Sequence, residues 1–119
     1  MKEKSILILD DEEDICFLLG NFLKKEFKEV YTAHSIEEWK QYDLKKVDVM
    51  IVDNNLHDGY GFDIIPEIKQ SNPSIRIIAI SAFDANNERK YAIENGADLF
   101  LGKPFNFQDV LEKIQSLKK

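Results

Sequence analysis

VDVMIV, residues 47–52, decides how the rest of the chain is read. Its apolar positions are mostly β-branched and do not follow a helical period. A short apolar run of this kind fits a strand buried on both faces of a parallel sheet. It is followed at once by a carboxylate, Asp53. IRIIAI (residues 75–80) repeats the pattern and predicts a second central strand, followed by Ser81. SILIL, Ser5–Leu9, predicts a third, followed by Asp10 and Asp11. VYTA (30–33) is more polar and reads as an edge strand. DLFL (98–101) is a short last strand, followed after Gly102 by Lys103-Pro104.

Helical patterns fill the gaps. Ile15, Leu19, Phe22 and Leu23 share a helical face. SIEE (35–38) reads as a capping box opening a second helix. Residues 62–70 predict a third, with Pro66 near its first turn, where a missing N–H is tolerated. Asp84 is suited to cap a fourth, which stops at Asn95-Gly96. Asn106 is suited to cap a fifth. Phe105 and Val110 are spaced as a hydrophobic staple, and Leu111, Ile114 and Leu117 carry on the stripe. The order βαβαβαβαβα implies an α/β fold with a five-stranded parallel sheet between two helical layers. Right-handed crossovers restrict its topology. Function in such sheets gathers at the carboxyl ends of the strands, where strand order reverses.

Composition narrows the function. The 119 residues carry a formal net charge of −6, with 44% hydrophobic and 32% charged residues. That describes one globular domain, residues 1–119, with no linker and no internal repeat. The acidic balance argues against nucleic-acid or anionic-membrane binding. No run is long enough for a membrane span, and the amino terminus is not a signal peptide. The single cysteine, Cys16, has no partner for a disulfide and reads as a buried small hydrophobe. These features point to the cytoplasm.

The strand ends carry the chemistry. Asp10, Asp11 and Asp53 would stand together with Ser81 and Lys103 at one edge of the sheet. Two carboxylates about 4 Å apart repel by roughly 4 kcal/mol at an effective dielectric near 20. Three stay ionised together only beside a cation. All-oxygen ligands suit Mg²⁺, which keeps open positions for phosphate oxygens. Asp53 is then placed as a nucleophile for a phosphoryl group, with Lys103 adding positive charge.

These stretches resemble the receiver domain of two-component response regulators, of the single-domain chemotaxis and sporulation type, along the whole chain. ILILDDEEDI is similar to the family's acidic pair, DVMIVDNNLHDGYGFDII to its phosphoacceptor segment, IIAISAF to its hydroxyl segment and DLFLGKPF to its lysine segment. The resemblance implies a flavodoxin-like (βα)5 sandwich with sheet order 2-1-3-4-5. It implies Asp53 as phosphoacceptor and Asp10, Asp11, Asp53 and the Asn55 carbonyl as the Mg²⁺ set. Asp11 would bind directly, and Asp10 directly or through water. It assigns Ser81 and Lys103 to the phosphate, Phe100 to an aromatic switch, and a cis bond to Lys103-Pro104. The implied donor is a sensor histidine kinase or a histidine phosphotransfer protein. The implied receiver of the signal is a downstream protein or an output domain, reached through a surface of helix four, strand five and helix five. Lys90, Tyr91, Glu94 and Phe107 are candidate contacts there. The protein would be a monomer or a phosphorylation-dependent dimer, and not a turnover enzyme on an outside substrate.

Three departures stand out. His57 replaces the proline common after the acceptor. Phe100 lacks the hydroxyl of the commoner tyrosine. Asn55 and Phe83 fall where relatives vary the lifetime of the phosphate. Plainer readings also exist. Glu12, Glu13 and Asp14 fit a helix's first turn, where acids complement its dipole. His34 and His57 fit surface positions, and Trp39 a partly buried helix position. A phosphatase of the haloacid dehalogenase type would need an acid two residues after its nucleophile and a cap domain. Glu12 after Asp10 is a poor match, and 119 residues leave little room for a cap. A nucleotide binder would need a glycine-rich loop absent here. A receiver-like module that takes no phosphate is the remaining rival, and the set of Asp10, Asp11, Asp53, Ser81 and Lys103 argues against it.

Overall fold

A computed structural model of the protein describes residues 2–82 and 86–117. Five strands form one parallel sheet: β1 (Ser5–Leu9), β2 (Glu29–Ala33), β3 (Val49–Asp53), β4 (Arg76–Ser81) and β5 (Leu99–Gly102). Their order is β2-β1-β3-β4-β5, the flavodoxin-like order. The helices are α1 (Glu13–Leu23), α2 (Ile36–Trp39), α3 (Ile65–Ser71), α4 (Asn86–Asn95) and α5 (Phe107–Ser116). Expected and observed strands differ by two residues at most. The expected cap Asp84 and the loop residue Phe83 lie outside the described residues.

Strand alternation divides the core into two layers. Ile6, Ile8, Val49, Ile51, Ile78 and Ile80 pack with Leu19 and Leu23 of α1 and Val110 and Ile114 of α5. Leu7, Leu9, Met50, Val52, Ile77 and Ala79 face the other way, with Trp39, Ile65, Ile68 and Ala92 of α2, α3 and α4. Each fully buried Ile or Leu contributes about 1.5–3 kcal/mol. The ladder pairs Leu9 with Val52, Val52 with Ala79 and Ser81 with Gly102. That register brings the residues following β1, β3 and β5 to one edge, beside the end of β4.

Local chemistry explains the departures from expectation. Ser35 Oγ accepts from the Glu38 N–H at 3.0 Å, half of a capping box. The Glu38 carboxylate instead accepts from the His34 N–H, at 2.6 Å. Asp58 accepts from the free N–H groups of Ile36 and Glu37 at 3.0 and 3.2 Å. The helix so started, α2, lasts one turn. The third helix begins as a 3₁₀ turn, Gly61–Ile64, and becomes α-helical around Pro66. A two-residue antiparallel ribbon, Asn55–Leu56 with Gly59–Tyr60, was not foreseen. Cys16 is buried, but its neighbour Phe17 is 68% exposed; helical phase, not apolar neighbours, buries the thiol. Trp39 is fully inside rather than partly buried, and Leu111 stands only half-buried.

The α5 cap matches expectation. Asn106 and Asp109 form a reciprocal capping box, and Phe105 packs in the same apolar cluster as Val110. Replacing Asn106 with Ala is expected to lower stability by about 1 kcal/mol. Urea denaturation should show a lower midpoint with an unchanged slope.

Candidate functional site

Asp10 continues the sheet past β1, its N–H donating to the Ala33 carbonyl at 3.1 Å. Asn54 does the same past β3, donating to Ile80 at 3.1 Å. The edge is therefore hydrogen-bonded backbone, and its side chains inherit the sheet's alternation. Asp10, Asp53 and Lys103 fall on the α1–α5 side. Asn54 and Ser81 fall on the α3–α4 side.

On the first side, Lys103 Nζ lies 3.1 Å from Asp10 Oδ2, 3.5 Å from Asp53 Oδ2 and 2.6 Å from Glu12 Oε1. Asp10 is wholly buried and Asp53 is 3% exposed. The other Asp10 oxygen accepts from the Glu12 N–H at 2.9 Å. Asp53 Oδ1 accepts a long bond from the Asn55 N–H, 3.4 Å. Asp10, Asp11 and Asp53 each offer an oxygen within 4.8 Å of the others. Hard oxygen donors at this spacing fit a divalent cation such as Mg²⁺ or Ca²⁺. The Lys103-Pro104 peptide is cis.

The electrostatics fit a site short of positive charge. Burial pushes the Asp53 carboxyl up to about 7, and the neighbouring Asp10 charge adds to it; Lys103 and the Asn55 N–H pull the other way. Burial alone disfavours the Lys103 ammonium. The bond to Glu12 and the charges of Asp53 and Asp10 outweigh it, so its pKa stands above the usual lysine value. The Cys16 thiol, pushed up to about 12 mainly by burial, stays protonated and lies 3.2 Å from the Asp10 carbonyl.

On the second side, the Ser81 hydroxyl donates to the Glu88 carboxylate of α4. The other Glu88 oxygen accepts from Asn54 Nδ2 at 3.4 Å. Asn54 Oδ1 in turn accepts from the Phe62 N–H at 3.0 Å. Phe100 is buried, 6.3 Å edge-on from Phe62, with the Arg89 guanidinium 5.3 Å from its ring centroid.

Chain comparison places this geometry in a family. Residues 6–115 match the response regulator receiver domain. The chain belongs to the receiver domain family of two-component response regulators. Response regulator SaeR of Staphylococcus aureus is 30% identical over 112 residues, which are 94% of this chain and 49% of SaeR. The chain thus spans about half the length of the curated relatives it matches. A two-component response regulator from Clostridium difficile superposes with a TM-score of 0.89 at 25% identity, covering 97% of this chain and 95% of the other. A response regulator from Burkholderia pseudomallei, solved with a phosphorylated aspartic acid and a calcium ion, gives 0.85 at 25% identity, covering 98% and 73%.

In this receiver domain Asp10, Asp11, Asp53 and Lys103 stand together, while Ser81 and Phe100 stand on the opposite side of the edge. Sequence reading gave no site role to Glu12, Asn54, Gly61 or Glu88. Glu12 is not only a first-turn acid, since it holds Lys103. Its place two residues beyond Asp10 was the available clue. Gly61 is required by close approach: a Cβ there would lie 2.0 Å from the Asp53 carbonyl oxygen. Three of the partner-facing candidates, Lys90, Tyr91 and Glu94, are exposed on α4, whereas Phe107 packs on Phe22 at 5.5 Å. His34 is not a plain surface residue, since its Nδ1 lies 3.2 Å from the Asp10 carbonyl. No helix among the described residues is long and apolar enough to cross a membrane.

Because the folded pKa of Asp53 lies above the ordinary carboxyl value, protonation favours the fold. Its contribution is full below about pH 4 and lost as pH rises through about 7. Without metal, Asp53→Asn should therefore melt higher than wild type at pH 8, by several degrees, and the gap should narrow toward pH 5. Melts across that range, repeated with Mg²⁺, check this. A gap independent of pH would refute it.

Proposed function

We propose that Asp53 is the phosphoacceptor of this receiver domain, that residues 1–119 act as one domain, and that a histidine kinase or histidine phosphotransfer protein is the donor. The observation that carries the reading is a buried carboxylate, Asp53, set 3.5 Å from the Lys103 ammonium and within reach of two further acids. The phosphorylated aspartic acid of the Burkholderia pseudomallei relative supports it.

A carboxylate oxygen of Asp53 attacks phosphorus. The phosphorus–nitrogen bond of the donor breaks, and its electron pair leaves on the imidazole nitrogen. Lys103 meets the charge arriving on the phosphoryl oxygens, and the Ser81 hydroxyl donates to one of them. Asp11, Asp53 and the Asn55 carbonyl would hold Mg²⁺. Both Asp10 oxygens are already engaged, by Lys103 and by the Glu12 N–H, which suits Asp10 to a role through water. A bound Mg²⁺ supplies neutralising charge to the acids and the phosphoryl oxygens. Later attack by water on the acyl phosphate returns the carboxylate.

Phosphorylation then changes α4, β5 and α5, the face read by a downstream protein or an output domain. Phe100, already turned inward, is the aromatic element of that change. The domain modifies itself and turns over no outside substrate. It works in the cytoplasm, where its single buried thiol stays reduced, as a monomer or a phosphorylation-dependent dimer.

With Mg²⁺ and acetyl phosphate, intact mass is expected to show one phosphoryl adduct. The adduct should be absent in Asp53→Asn and after chelation. An adduct that persists in Asp53→Asn would move the acceptor elsewhere. Failure to label, together with failure to bind Mg²⁺, would sink the phosphoryl-switch reading and favour a module that works by surface alone.

A further inference from the structure

We propose that Glu88 is a positioning residue for the phosphoryl reaction: a resident anion seated on Ser81 and Asn54 that an incoming phosphoryl group must displace. The inference rests on the reading of Asp53 as acceptor and Ser81 as phosphate ligand.

Alternation carries the argument. Asp53 is flanked on its α3–α4 side by Asn54 and Ser81, whose side chains point away from the Asp10–Lys103 side. That face receives a carboxylate from the first turn of α4. Both Glu88 oxygens accept, one from the Ser81 hydroxyl and one from the Asn54 amide at 3.4 Å. A hydroxyl has a single hydrogen to donate. While Ser81 gives it to Glu88, a phosphoryl oxygen on Asp53 does not receive it. A phosphoryl group carrying about −1.5 to −2 charges would also repel the nearby carboxylate.

Glu88 therefore acts twice against the phosphorylated state, by occupying a donor and by like charge. Its departure also has somewhere to register. Arg89, the next residue, covers Phe100, and Tyr91, one turn on, donates to Asp63 at the start of the third helical segment. Expelling Glu88 pulls on the helix that carries both contacts. Occupancy and lifetime of the phosphoryl group would then be set partly from α4, and not only by the residues around Asp53.

The test uses Glu88→Gln and Glu88→Ala. Both are checked by thermal melting, since Glu88 is only half-buried and neither substitution should unfold the domain. Beryllofluoride with Mg²⁺ serves as the phosphoryl analogue, and acetyl phosphate as the donor. Glu88→Ala is expected to bind beryllofluoride about tenfold more tightly than wild type. It should also hold more phosphoryl group at limiting donor and lose it more slowly. Glu88→Gln, which keeps an acceptor without the charge, should fall between. Adding Ser81→Ala to Glu88→Ala should cancel much of the gain, which a merely structural role for Glu88 would not do. Wild-type labelling with unchanged or weaker analogue binding in both variants would overturn the inference and leave the Asp53 reading intact. Neither adduct nor analogue binding in wild type would overturn both.

Discussion

The arrangement depends on one unbalanced charge cluster. Asp10 and Asp53 are buried at the carboxyl edge of the sheet with Glu12 and Asp11 beside them, and one ammonium, Lys103, stands among them. A buried carboxylate without full compensation is costly, and the fold bears that cost because the surrounding sheet is over-determined by two apolar layers. Asp53 responds by holding its proton more tightly. A divalent cation held by these carboxylates would relieve that imbalance by adding positive charge.

The sheet's two-residue period sorts this chemistry. Side chains that gather charge lie toward α1 and α5, and those that would sense the phosphate lie toward α3 and α4. Asp53 is adjacent to both because Asn54 follows it in the same extended backbone. The close approach of Gly61 to the Asp53 carbonyl, with the Asn54 side chain bound to the Phe62 N–H, fixes where the edge turns into the third helical segment. The two sides are separated by one residue of strand, the step from Asp53 to Asn54.

Much of this was legible from residue order. Unbroken β-branched runs marked β3 and β4 as central, and the polar run at residues 30–33 marked β2 as an edge. Acids after β1 and β3 and a lysine after β5 are enough to bring Asp10, Asp11, Asp53 and Lys103 to one edge of the sheet. What stayed hidden depends on contacts between segments distant in sequence. Nothing in the polar sequence of α4 singles out Glu88 from Glu94; only the packing of that helix on the sheet directs one inward and the other to solvent. Asp58 likewise serves the N-terminus of a helix more than twenty residues earlier. The one-turn α2 and the 3₁₀ start before α3 were hidden because propensity carries little weight where tertiary partners satisfy the backbone.

The absent hydroxyl at Phe100 changes how such a domain can hold its aromatic in place. A tyrosine can fix its rotamer with a hydrogen bond; a phenylalanine has only packing. Here the ring rests edge-on against Phe62, and an aromatic pair of this kind contributes about 0.5–1.5 kcal/mol beyond its buried area. The Arg89 guanidinium over the ring adds a contribution of about 0.5–1 kcal/mol. Phe62 is fixed by the core, whereas Arg89 moves with α4. The inward position of Phe100 is therefore tied to where α4 sits, and through Glu88, the preceding residue, to the state of Ser81. With Glu88 and Ser81 acting as proposed, the loss of one hydroxyl would leave the coupling between site and surface in place. It would transfer that coupling from a directional bond on the ring to the seating of a single helix.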